Sequence, residues 1–201
     1  MSSIPTNIIC ESLTASDQSS PWSDLEIAHP ISGDTGSQEA VSRVRTWLNR
    51  CSGEHSMCAN TTARALPTRV IRIDGPKDVK LYIPDQQEAR YVCLSHCWGN
   101  GSVIRTTKQN LSSFRLRIPW QELSRTFRDA IDFAYRLGFI YIWIDSFCIV
   151  QDSAEDWRHE GGRMDSIYAN ASLTLAATKS ADSTKVALAA RARYTSLANS
   201  L

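Results

Sequence analysis

Three short stretches of this 201-residue chain hold side chains whose types and spacing suit chemistry. In Phe139–Asp152, FIYIWIDSFCIVQD, six apolar residues, β-branched or aromatic, give way abruptly to Asp145 and Ser146. A run that short cannot cross a bilayer, and its lack of alternation predicts a strand covered on both faces, at the centre of a parallel sheet. Ligands in open α/β sheets gather at the carboxyl ends of strands, so Asp145 and Ser146 stand where chemistry is expected. In Arg90–Ser102, RYVCLSHCWGNGS, the run Ser95, His96, Cys97 has the residue types of a nucleophile and base. Adjacent strand residues point to opposite faces, however, which favours a packed strand end built with Cys93 and Trp98. Glycines 99 and 101 free a loop that can offer backbone amides to a phosphate, although neither a Walker lysine arrangement nor GxGxxG is present. In Cys51–Cys58, CSGEHSMC, the candidate zinc ligands are Cys51, His55 and Cys58. A structural zinc site usually takes four ligands, and Cys97 or His96 can complete the set only if the fold brings them near. The alternative buries one thiol beneath a helix end and lets the histidine cap its last carbonyls.

The elements that must position these groups follow from periodicity. Ala40, Val41, Val44, Trp47, Leu48 and Cys51 recur at three and four, one face of a helix for which Ser37 is the N-cap. Arg69–Ile73 and Val79–Ile83 are β-rich and separated by Asp-Gly-Pro-Lys-Asp, a hairpin at the edge of the main domain. Tyr91–Leu94 is a short strand. Residues 107–117 hold a helical turn and a loop. Ser124 caps a helix whose apolar positions Phe127, Ala130, Ile131, Ala134 and Leu137 keep a helical period until Gly138 stops it. That helix leads at once into the Phe139 strand, so Tyr91 to Asp145 reads as a βαβ unit with a right-handed crossover. Ser153-Ala-Glu-Asp156 has the spacing of a capping box and starts a helix carrying Trp157, Met164, Ile167 and Tyr168. Gly161 and Gly162 fall in its middle, where each costs about 1 kcal/mol against alanine, so the helix bends or lets something approach its backbone. Ala171–Ala177 reads as another buried strand.

Composition bounds what this framework can do. A chain that is 42% apolar and 21% charged can bury one sizeable core. The formal charge of +1 supplies no long-range field for nucleic acid or an anionic membrane, and no stretch reads as a membrane span. The amino terminus has neither a basic nor an apolar signal region, so the six cysteines are expected as reduced thiols and the compartment as cytoplasmic. Residues 1–36 contain five acidic residues and no Lys or Arg, with many Ser, Thr and Pro, which predicts a flexible arm. From residue 182 an alanine-rich, weakly patterned tail follows.

Several of these blocks, in order, resemble the heterokaryon-incompatibility (HET) domain of filamentous fungi. They are Tyr91-Val-Cys-Leu-Ser-His-Cys-Trp-Gly99, Ser124-Arg-Thr-Phe-Arg-Asp-Ala130, Tyr141-Ile-Trp-Ile-Asp-Ser-Phe-Cys-Ile-Val-Gln-Asp152, Asp156-Trp157 with Glu160, and Met164 with Ile167-Tyr168-Ala-Asn-Ala171. The resemblance covers residues 90–181, with residues 37–89 as a preceding helix, Cys/His segment and hairpin. It departs from the family pattern at Thr184-Lys-Val-Ala-Leu, which leads to an early end and the expectation of a truncated or divergent member. It implies non-self recognition and programmed cell death, through self-association or another cell-death protein. The family is also distantly similar to TIR domains, which implies a three-layer α/β fold, TIR- or flavodoxin-like, with a mainly parallel sheet and the first helix and hairpin appended. Some TIR domains hydrolyse NAD with a glutamate on the helix after a sheet strand. By position Glu160 would be that catalytic residue, with no metal needed. Ser95, Trp98, Gly99, Asp145 and Ser146 would then line the substrate pocket. A carboxylate there can stabilise oxocarbenium charge or bind ribose hydroxyls. The structural alternatives are a solvated helix carboxylate for Glu160 and a loop cap for Asp145.

Overall fold

A computed structural model describes residue 34 and residues 36–54, 63–98 and 104–177. The arm before residue 34, His55, Cys58, Gly99 and the tail from 182 therefore lie outside the described residues. Helix α1 (Gln38–Glu54) starts where Ser37 Oγ accepts a hydrogen bond from the Ala40 amide at 3.1 Å. Of its apolar face only Val41 is fully buried, Leu48 rests against the core, and Trp47 is 62% exposed. Next come β1 (Arg64–Ala65), β2 (Val70–Gly75), β3 (Asp78–Tyr82), β4 (Glu88–Ala89) and β5 (Val92–Ser95). Strands β1 and β4 form a small antiparallel pair, while β2 and β3 form the expected hairpin.

A short helix α2 (Leu111–Leu116) and a 3-10 turn at Trp120–Glu122 precede α3 (Arg125–Arg136). Ser124 caps α3 by accepting from the Phe127 amide. At the other end Gly138 takes φ +91°, a left-handed conformation that ends the helix and feeds the chain into β6 (Tyr141–Trp143). Four short elements complete the fold: α4 (Asp145–Cys148), α5 (Ala154–Gly161), α6 (Met164–Asn170) and β7 (Leu173–Ala176).

The main sheet has five strands in the order β3-β2-β6-β5-β7, with β6 in the centre. Strands β5 and β6 pair in parallel, so the unit from Tyr91 to Asp145 is formed as expected. Tyr141, Ile142, Trp143 and Ile144 are all buried, which accounts for their lack of alternation. Helix α3 buries Phe127, Ala130, Ile131 and Ala134 in the core. Helix α6 covers the face carrying Tyr91, Cys93 and Trp143: the Tyr91 hydroxyl donates to the Ile167 carbonyl at 2.6 Å, and Trp143 meets Tyr168 edge-on. Fully burying each large apolar side chain contributes about 1.5–3 kcal/mol.

Several expectations need correction. The sheet is mixed: β7 and β6 run parallel to β5, but β2 is antiparallel to both β3 and β6. The hairpin is therefore part of the main sheet, because Ile71 and Arg72 pair with Ile142 and Tyr141. Ile140, at the start of the apolar run, is 50% exposed. Strand β7 is half-buried, with alternate residues outward, since it forms an outer strand. The helix predicted through the glycine pair is two helices, α5 and α6, divided at Gly162–Arg163. The Trp157 ring lies against Gly161, where a β-carbon would sit 3.1 Å from it, so the aromatic ring is what approaches that backbone.

Candidate functional site

Parallel register brings the first cluster together. Val92 and Cys93 pair with Ile142 and Trp143, so the carboxyl ends of β5 and β6 emerge side by side. His96, just past β5, thereby reaches Asp145, the residue that opens α4. Its Nε2 lies 2.9 Å from Asp145 Oδ1, and the Trp98 indole donates to Oδ2 at 2.8 Å. The Ser146 amide adds a third bond, to Oδ1 at 2.7 Å. The imidazole is nearly inaccessible, at 1% exposure of its side chain, and it is held by aromatic walls. Trp98 stacks on it at 6.2 Å and Phe127 meets it edge-on at 4.9 Å. Its Nδ1 faces the Cys97 carbonyl at 3.2 Å. Both ring nitrogens thus face oxygens that only accept.

Neighbouring groups feel this acid. Burial, with Asp145 as a second cause, pushes the Tyr168 phenol up to about 12, and its hydroxyl donates to the Leu94 carbonyl. Burial alone pushes the Cys93 thiol up to about 12. Cys93, Cys97 and Cys148 are free thiols, and only Cys97 of these is exposed.

The second cluster gathers around Arg69, which directly precedes β2 and is 8% exposed. Its Nε donates to the Cys148 carbonyl at 2.6 Å and its terminal nitrogen bonds both oxygens of Asp156. Asp156 also accepts from the Val150 amide at 2.7 Å, so it braces a loop instead of completing the reciprocal half of a capping box. Glu160, one turn further along α5, has Oε1 3.6 Å from the same guanidinium and 3.1 Å from His159 Nδ1. Its Oε2 is buried with no hydrogen-bond partner among the described residues. At 1% exposure Glu160 is no solvated helix carboxylate: the Asp156–Glu160 pair, four apart, turns one acidic face inward onto a cation.

The two candidate carboxylates therefore belong to different clusters, and among the described residues no partner is common to Asp145 and Glu160. Ser95 is exposed at the end of β5, Trp98 is half-buried, and Ser146 is fully buried with its hydroxyl unpartnered among the described residues. Cys51 lies in the last turn of α1, while His55, Cys58 and Gly99 fall outside the described residues. Among the described residues no group of three or more His, Cys, Asp or Glu is placed to hold a metal ion. No described helix is long and apolar enough to cross a membrane.

Sequence reasoning dismissed His96 because it sought a partner next to it in the chain. The readable signal was a His-x-Trp following one strand and an Asp following its parallel neighbour. Arg69 carried a weaker signal: two carboxylates one turn apart beside a glycine pair ask for a cation, without saying which.

Comparison with known proteins gives one family. A family model described as heterokaryon incompatibility protein (HET) matches residues 91–200, more than half of the chain and including both β5–β6 and the helix of Glu160. Searches of curated proteins and of solved structures gave no significant match. With the ordered blocks and their α/β framework in place, the chain belongs to the heterokaryon incompatibility protein family.

Proposed function

We propose that this chain acts in fungal non-self recognition as a cytoplasmic death-signalling module that works by assembly, with itself or with another cell-death protein, and not by chemistry of its own. The observation that carries this reading is the state of Asp145. Both its oxygens are taken by His96, Trp98 and the Ser146 amide, so the acid at the tip of the central strand ties two strand ends together instead of facing a substrate. Large apolar groups left on the surface supply material for contacts: Leu116 is 83% exposed and Trp157 50%. Sedimentation of the full chain over a range of concentrations tests this reading, which expects association to rise with concentration. A monomer at every concentration, with no partner recruited in cells, would count against it.

A second reading, NAD cleavage by a TIR-like fold of three layers, is favoured by Glu160 alone. A carboxylate held dry with one oxygen unpartnered has the electrostatic character that stabilises a developing oxocarbenium ion. In this reading Ser95, Trp98, Gly99, Asp145 and Ser146 line the nucleotide pocket, and assembly opens Glu160 to it. Incubating concentrated protein with NAD and following nicotinamide separates the readings. Release that disappears in Glu160→Gln supports catalysis, and release that survives removes Glu160 from it. Zinc at Cys51, His55 and Cys58 is a separate proposal, which metal analysis of dialysed protein settles.

A further inference from the structure

At the opposite end of the strands from Asp145, where β5 and β6 begin, a cleft of about 290 Å3 is walled by Arg45 and Leu48 of α1, by Arg90, and by Leu137, Phe139 and Ile140 from the turn between α3 and β6. Its wall combines apolar surface with two guanidinium groups and, among the described residues, has no acidic lining residue. Arg45 uses one N–H on the Arg136 carbonyl at 2.7 Å, capping the end of α3. Arg90 lies 5.1 Å over the Phe139 ring, with its Nε 3.5 Å from Ser172 Oγ. Among the described residues no carboxylate pairs with either cation. A guanidinium carries five donors, so both keep several for a ligand. Ile140, half-exposed, stands at this cleft although it directly precedes the strand that forms the centre of the sheet. An isoleucine left open beside two uncompensated cations is the local pattern of a contact surface.

We propose that this cleft docks an acidic peptide segment of a partner protein, an aliphatic side chain of the peptide packing on Leu48, Leu137 and Ile140 while its carboxylates bond Arg45 and Arg90. The volume argues for a peptide over a metabolite. It lies at the low end of pockets that enclose small organic ligands, and a peptide needs only one or two side chains seated. Charge complementarity argues for the acidic class, since burying two cations against a neutral peptide leaves their donors without acceptors. The proposal is independent of what the Asp145 and Glu160 clusters do.

The probe is a short fluorescein-labelled peptide of alternating leucine and glutamate, titrated with the full chain and followed by polarisation. Arg90→Glu reverses one charge, and Ile140→Glu changes an exposed side chain that caps nothing; each variant is first checked for an unchanged unfolding midpoint. The expected result is saturable binding, weakened by added salt, by glutamine in place of glutamate, and about tenfold or more by each substitution. Absence of binding up to ~1 mM peptide overturns the proposal. So does equal binding by both variants, or equal binding of a lysine-for-glutamate peptide. Displacement by inorganic phosphate at concentrations comparable to the peptide also overturns it, since the cleft is then a small-anion site.

Discussion

Replacing Arg69 by methionine removes the cation from a place where two carboxylates depend on it. The guanidinium is bonded to the Cys148 carbonyl and to Asp156, and among the described residues it makes the only ion pair with Glu160 that does not require a histidine to be protonated. The two acids respond differently. The Asp156 side chain is 20% exposed and can recover hydration, whereas that of Glu160 is 1% exposed and cannot. Breaking a buried pair by deleting one partner costs about 3–5 kcal/mol, chiefly because of the charge left behind. That is a large share of the roughly 5–15 kcal/mol that holds a domain folded. Glu160→Gln alone keeps the shape, removes the charge and leaves Arg69 bonded to Asp156, so its cost is about 1 kcal/mol. The double variant Arg69→Met/Glu160→Gln is therefore expected to be more stable than Arg69→Met, with a coupling of about 2 kcal/mol. Urea unfolding of the four proteins, followed by fluorescence, gives the cycle. An Arg69→Met loss under ~1 kcal/mol, or additive single effects, would refute the claim that Glu160 is held as a buried ion by this arginine.

Other substitutions and conditions test neighbouring parts of the fold. Gly138→Ala meets nothing within 4 Å, so its cost is that of a left-handed φ alone, about 1 kcal/mol; no change in thermal midpoint would mean that the turn relaxes freely. Trp98→Phe removes the indole donor from Asp145, whose side chain is 16% exposed; water replaces it, and the expected loss is about 1 kcal/mol in denaturant titration. Stability should also fall in alkali. Burial lifts Cys93 from 9.0 to about 12 and Tyr168 from 10.0 to about 12, so above pH 9 the unfolded chain sheds protons that the folded one keeps. This contribution is intact below about pH 9 and is lost as the pH climbs toward about 12; an unfolding midpoint that stays flat over that window contradicts it.

What was legible in the sequence is what local physics decides. Ser124, the apolar period of α3 and the stop at Gly138 each act within a turn of themselves, and all three are realised. The parallel β5–β6 pair was legible because a helix between two strands leaves few topologies. Long-range register was not. Nothing around Ile71 says that it pairs with Ile142, so the hairpin looked like an appendage and the sheet looked more parallel than it is. Burial of charge was equally hidden: Glu160 reads as a surface residue until Arg69, distant in the chain, is placed against it. His96 shows the same lesson, since its partner is its neighbour across two strand ends. Ile140 and β7 illustrate the limit of reading hydrophobicity as depth, because an apolar residue at a strand start or on an outer strand can remain open to solvent.

Inducible expression of the full chain in fungal cells, scored for death alongside Glu160→Gln at matched protein level, tests assembly against catalysis most directly. A module that signals by assembly predicts killing by both proteins to the same extent. Killing by the native chain that vanishes in a Glu160→Gln protein that is folded and undiminished in self-association would contradict it.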